Sequence, residues 1–266
     1  MHLDDIPIGL FFLLTCLLVI FSIDGGYRVG NRVHKKSDQE KESPVSGISG
    51  SILGLLAFIL VFTFNIVSER YDTKRALVRE DANAIRSAWL RSEFLEEPDR
   101  SNSQKLIKEY VNMRANLPNI LLPSQQTSAK IEKTIDKSSK IHSQLFDIAV
   151  ANGKKDLNSD IGALYVEAIN DIISTHYERV AVGWQARVPN GFWLVLFILI
   201  ILSMFSVGYQ MAIAGSSRSW STLILVFSFS LVITLIAVLD RPQNNFIRVS
   251  QQPMIDLQEF INSDAK

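Results

Sequence analysis

The chain has 266 residues, 47% of them hydrophobic, with 27 basic side chains against 27 acidic ones and a mean hydropathy above zero. That balance fits a multi-pass membrane protein with one modest water-soluble portion, and it gives no basic face or stripe on which to propose nucleic acid as a partner. The single cysteine, Cys16, lies inside an apolar run, which excludes a disulfide framework and a thiolate zinc cluster.

The opening Met1-His2-Leu3-Asp4-Asp5 lacks the positive n-region of a secretory signal, and no small-residue cleavage site closes the apolar run behind it. Residues 6–23 are therefore predicted to be an uncleaved first span, slightly short of the about 20 residues a bilayer requires. Pro7 stands near its start, where a missing amide does no harm. Asp24-Gly25-Gly26 is expected to end it. Residues 24–46 mix Arg28, Arg32, Lys35, Lys36 and Lys41 with Asp24, Asp38, Glu40 and Glu42, and read as a solvated connector.

The second span, residues 47–67, has no charge before Glu69 and Arg70 and runs without a breaker into a charged helical stretch. Gly47, Gly50, Ser51 and Gly54 give its first half a small-residue stripe that permits close approach by a neighbour. Tight helix packing and pore lining are both open for this half. Lower down, Phe58, Phe62 and Asn65 share a face. Aromatics facing lipid would show the same spacing, but Asn65 favours a cavity, because a side-chain amide prefers water or a partner to lipid tails.

Residues 69–189 contain no transmembrane run and carry apolar positions at helical spacing, which predicts an all-α bundle of four antiparallel helices. The first continues from the membrane to about Glu96, through Leu77, Ala84, Ala88 and Leu95, and is closed by Pro98. The second is expected from about Ser103 to Asn116, with Pro118 to Pro123 as a break. The third opens at Ser124 and runs through Ile131, Ile141 and Leu145 to about Ala151. The fourth runs from near Asp156 through Ile161, Ile172 and His176 toward Val188. His142 and His176 stand on separate helices. A two-histidine metal site is the sharper reading of them, and packed or surface histidines are the commoner one.

The third span is predicted over residues 192–214, its far end made polar by Ser203, Ser206, Tyr209 and Gln210, and residues 215–219 form a tight reversal. The fourth, residues 220–239, carries hydroxyls that can bond their own helix and ends at Asp240-Arg241-Pro242. A last helix, from about Pro253 to Ile261, has Met254, Leu257, Phe260 and Ile261 on one face and is expected to dock onto the soluble bundle.

Several of these stretches together resemble the bestrophin-like membrane family, relatives of the bestrophin ion channels. The resemblance is carried by Leu-Ala-Phe-Ile-Leu-Val-Phe-Thr-Phe-Asn over residues 56–65 and by Glu69-Arg70-Tyr71-Asp72, with Asn83-Ala84-Ile85 and Trp89 following. His176-Tyr177-Glu178-Arg179-Val180, Asp240-Arg241-Pro242 and Arg248-Val249-Ser250-x-x-Pro253 extend it along the chain. In bestrophins the second transmembrane helix lines a pore, narrowed to a neck by three residues one helical turn apart ahead of an Arg-aromatic pair. Counting back from Arg70-Tyr71, the resemblance puts the neck at Phe62, Phe58 and Gly54, the last a glycine where the pattern implies a bulky apolar residue. Asn65 and Glu69 then fall at the pore mouth. Glu178 and Arg179 are expected to join the Arg70 and Asp72 region in a structural ion-pair network at the membrane surface, with Asp240 and Arg241 at the same level. No acidic run matches the calcium clasp of animal bestrophins.

Four spans put both termini and the soluble bundle on one side. The positive charges of residues 24–46 argue that this connector is cytoplasmic, whereas the resemblance implies a cytoplasmic bundle and termini, and is followed here. The sequence offers no nucleophile beside a base, no phosphate loop and no metal-ligand spacing, so neither an enzyme, a cofactor nor a metal is expected. The predicted spans carry no ionisable residue, which argues against a proton-coupled transporter. A passive channel remains, built as a homo-oligomer in the bilayer, a pentamer by resemblance, with permeating ions as its cargo. The alternative is a non-conducting membrane sensor or scaffold whose bundle binds a protein partner.

Overall fold

A computed structural model describes residues 6–36, 42–116, 127–216, 220–241 and 247–264. Eight α-helices carry these residues, and no strand occurs among them: α1 (Ile8–Lys36), α2 (Glu42–Ser92), α3 (Asp99–Ala115), α4 (Thr127–Lys155), α5 (Asp160–Val180), α6 (Asn190–Ile213), α7 (Trp220–Asp240) and α8 (Gln252–Asp264). A single π-helical turn, Ala181–Gln185, follows α5. Helices α1, α2, α6 and α7 are long and apolar enough to cross a membrane. The chain divides into two compact units, one of Met1–Glu69 with Arg187–Arg241 and one of Arg70–Ala186 with Pro242–Lys266.

In the first unit, α1, α2, α6 and α7 bury a core that includes Phe11, Val19, Leu56, Ile200, Met204 and Ile233. The expected end of the first helix at Asp24-Gly25-Gly26 is not observed, and α1 continues to Lys36. Two glycines weaken an isolated helix by about 1 kcal/mol each, and packing overrides this. A Cβ on Gly26 would collide with the backbone carbonyl of Phe205, and one on Gly208 with that of Ile23. At Gly30 it would stand 2.8 Å from the Tyr209 carbonyl oxygen. The glycines let α1 and α6 touch backbone to backbone, as small residues do between membrane helices. Asp24 takes part through an i,i+4 ion pair with Arg28 at 2.6 Å. At the far end of α6, Gly215 adopts φ +64°, a left-handed conformation that stops the helix without a Cβ penalty.

In the second unit, the C-terminal part of α2 packs with α3, α4, α5 and α8 around Ile85, Trp89, Ile107, Leu145, Ile169 and Ile172. Met254, Leu257 and Ile261 of α8 lie in the same core, and the Arg86 guanidinium covers the Phe260 ring at 4.8 Å. Helix ends differ from expectation by a turn. α2 stops at Ser92, and Pro98 precedes α3 directly, a position that costs no helical hydrogen bond. The Ser159 hydroxyl accepts from the Gly162 amide at 3.1 Å, capping α5 at Asp160 instead of Asp156. The expected break at Pro118 to Pro123 and the start at Ser124 lie outside the described residues, as do positions 217–219 of the predicted reversal and Pro242 of the Asp-Arg-Pro motif.

Candidate functional site on the second helix

Helix α2 has two contrasting faces in the first unit. Leu56, Leu60, Thr63 and Val67 are buried at helical spacing. Above them, Ser49 Oγ hydrogen-bonds to Ser206 Oγ at 2.7 Å and donates to the Ser206 carbonyl at 3.2 Å. Gln210 Nε2 donates to Ser46 Oγ at 3.1 Å, so the polar side of α6 is spent on holding α2. These contacts fix which face of α2 turns inward.

The opposite face carries the residues singled out from the sequence. Gly54, Phe58, Phe62, Asn65 and Glu69 are all exposed, Phe58 at 65% and Phe62 at 52%. Their spacing of three to four residues lines them up along one stripe. Gly47 and Gly50 extend it, and a Cβ added at Gly47, Gly50 or Gly54 would meet nothing within 4 Å. The small-residue stripe of α2 therefore does not receive another described helix of the same chain, while the glycines that do permit close approach are Gly26, Gly30 and Gly208. From one end to the other, the stripe changes from glycine to aromatic to polar. Exposed positions of α6 include Leu194, Ile198 and Leu202, and those of α7 include Ile224, Phe227 and Leu231 with Ser221 and Ser228 among them.

At the end of α7, Asp240 is buried. Its Oδ1 accepts from the Val188 amide at 2.9 Å and its Oδ2 from Trp193 Nε1 at 3.4 Å. The carboxylate so ties the chain leading into α6 to the end of α7. Arg241 lies over the Phe11 ring at 5.8 Å.

In the second unit the ion pairs are arranged differently from expectation. Asp72 pairs with Arg75 at 3.7 Å, one turn along the same helix and in solvent. Glu178 is exposed. Arg179 turns inward to Asp81, and its Nη2 donates to Gln251 Oε1 at 3.2 Å. Asp81 Oδ2 also accepts from Arg114 Nε at 3.2 Å and Nη2 at 2.8 Å. The partner of Arg179 is thus a buried acid more than two turns beyond Asp72, because Asp81 falls on the buried side of α2 with Leu77, Val78, Ala82 and Ile85. Burial alone would raise the Asp81 pKa, and the guanidiniums of Arg114 and Arg179 outweigh it, holding the carboxyl below its ordinary value.

Beside this triad lie Tyr110, His142 and His176, all buried. The two imidazoles meet edge to face with centroids 4.7 Å apart, and Tyr110 packs on His142 at 4.9 Å. The Tyr110 hydroxyl is 3.3 Å from His176 Nδ1. Both nitrogens of His142 and Nε2 of His176 have no hydrogen-bond partner among the described residues. Among the described residues no three His, Cys, Asp or Glu side chains converge. The sequence singles out His142 and His176 but not the charges beside them, although Asp81 and Arg114 stand at positions that the helical period assigns to the core.

Comparison with known proteins agrees with the resemblance seen in the sequence. A bacterial bestrophin homologue from Klebsiella pneumoniae, solved as point variants, superposes with a TM-score of 0.58 over 97% of this chain and 98% of that one. A second variant superposes at 0.61 over 96% and 97%; both are 13% identical. A structure described only as a membrane protein reaches 0.61 at 15% identity, over 97% of each chain. At such identities the likeness establishes the fold. A comparison with curated proteins finds no match. The bestrophin-like domain model matches residues 16–254, nearly the whole chain, and the chain therefore belongs to the bestrophin-like family.

Proposed function

We propose that copies of this chain assemble around α2 as a symmetric homo-oligomer, a pentamer by analogy with bestrophins, forming a passive ion channel in the bilayer. The observation that carries this reading is the graded stripe of α2. A helix face turned to lipid has no use for glycines at one end and Asn65 and Glu69 at the other, whereas a face turned to a shared axis becomes the wall of a conduit. Repeated by symmetry, Phe58 and Phe62 give two stacked apolar rings, Gly54 leaves the outer end wide, and Asn65 and Glu69 stand at the mouth. Water has no polar partner within the aromatic rings, so this neck closes by dewetting without a charged gate. The soluble bundle and both termini lie in the cytoplasm.

The test is ion flux through liposomes holding purified protein. Phe58→Ala with Phe62→Ala widens both rings and should raise the flux, while mass measurement in nanodiscs still finds the oligomer. Because both rings are half-exposed or more in the single chain, their loss leaves the protomer core intact. An oligomer with unchanged flux means that the stripe faces lipid or a neighbouring subunit, and the scaffold reading then takes its place. Mass measurement that found only monomer would remove the assembly altogether.

A further inference from the structure

Most buried polar groups in folded proteins are paired, and the histidines of the soluble unit depart from this rule together. His142 on α4 and His176 on α5 are 4% and 1% exposed, pack ring against ring at 4.7 Å, and leave three of their four nitrogens without a partner among the described residues. The groups set against the pair are Asp81 from α2, Tyr110 and Arg114 from α3, and Tyr177 and Arg179 from α5. Asp81 is already engaged by both guanidiniums through one oxygen. A protonated imidazole here would find two cations and a carboxylate they already neutralise. Separating α4 from α5 would give it water.

We propose that the His142 and His176 pair is an acid-sensitive latch of the helical bundle, closed while both rings are neutral and opened when either takes up a proton. Burial, followed by the Arg114 charge, pushes His142 down to about 4 and His176 down to about 3. The unfolded or opened chain binds these protons near pH 6.5. Folded values lie below opened ones, so the stability contribution is complete above pH 6.5 and is lost as pH falls. Each histidine costs the closed state about tenfold per pH unit below that point. Between pH 7 and pH 5 the pair shifts the equilibrium about 500-fold, in a window above the titration of ordinary carboxylates.

The full chain in detergent micelles tests this by hydrogen exchange, corrected for its intrinsic pH dependence, in peptides covering residues 138–149 and 165–179. The parent should lose protection in both between pH 7 and pH 5, and His142→Gln with His176→Gln should keep it. Equal losses in parent and double variant would overturn the latch. If the double variant does not fold at pH 7, His142→Gln alone removes no hydrogen bond and should still retain part of the protection. Ring-carbon NMR of the parent decides independently: His142 and His176 signals that titrate near pH 6.5 with the bundle fully protected would overturn it too.

Discussion

Replacing Asp81 by Asn tests the account of the second unit most directly. The side chain is wholly inaccessible, and Arg114 and Arg179 are 6% and 11% exposed. Asp81→Asn keeps the shape and one acceptor oxygen but removes the only charge facing the two guanidiniums among the groups that make up this centre. Three charge-assisted hydrogen bonds end on that one oxygen, and they are not independent, so their separate values do not add. Breaking a buried pair by removing one partner costs about 3–5 kcal/mol, a large part of the about 5–15 kcal/mol that holds a domain folded. For a unit of this size, about 2–4 °C of Tm go with each kcal/mol, so the variant should melt roughly 6–20 °C lower. Near-UV circular dichroism of the detergent-solubilised chain reads the transition. Asp72→Asn is the control: its pair with Arg75 is exposed and should cost less than about 1 kcal/mol. Because Asp81 is held below its ordinary pKa, its contribution is complete above the unfolded value of about 3.9 and is lost only as pH falls through the lower folded one. The deficit of Asp81→Asn should thus stay constant above pH 6.5, where the histidines are neutral as well. A melt within about 2 °C of the parent would refute the reasoning.

In the membrane unit, Gly208→Ala places a methyl against the Ile23 backbone, which no rotamer change relieves, and should cost at least the about 1–3 kcal/mol of overpacking. Gly54→Ala, with nothing within 4 Å, should leave the melt of the protomer unchanged, and equal melts for the two would contradict the α1–α6 seam. Asp240→Ala strands the Val188 amide and Trp193 Nε1, at about 1–3 kcal/mol for each unpaired donor, whereas Asp240→Asn keeps an acceptor and should lose less. Thermal unfolding gives the order, and an Ala variant as stable as the Asn one would show that these bonds carry no weight.

The spans were legible because hydrocarbon imposes one requirement, a long run of apolar residues with its backbone bonded internally, and a sequence displays that run directly. The stripe of Phe58, Phe62 and Asn65 was legible for the same reason, since helical period alone aligns them. What Asp24-Gly25-Gly26 meant was not legible. Two glycines after an aspartate carry the local chemistry of a helix end, and only the backbone of Phe205, distant in sequence, turns them into a contact. The spacing of Gly47, Gly50 and Gly54 left packing and pore lining both open, and no described helix of the chain lies against them. Asp81 shows a third limit. Its place in the core follows from the period of α2, but its two partners come from α3 and α5, and pairing across helices is invisible to a period.

The placement of charge bears on how any conduit along α2 could work. Between Gly47 and Ser68 the helix has no ionisable residue, and the buried ion-pair triad of Asp81 with Arg114 and Arg179 belongs to the second unit and sets one negative charge against two positive ones. In the proposed conduit, an ion between Gly47 and Ser68 meets no fixed charge of opposite sign that could replace its hydration shell. In the proposed neck, its barrier is set by how many waters the Phe58 and Phe62 rings force it to shed, a quantity that depends on ring diameter. A proton-coupled cycle would need a group in the span that changes charge, and this stretch of α2 contains none. If α2 lines a conduit as proposed, passive flux is governed by geometry at the aromatic rings and by bias at the mouth, where Glu69 and Arg70 stand side by side in sequence with opposite charge. Changes in ring size should act on the amount of flux, and changes at Glu69 on its selectivity.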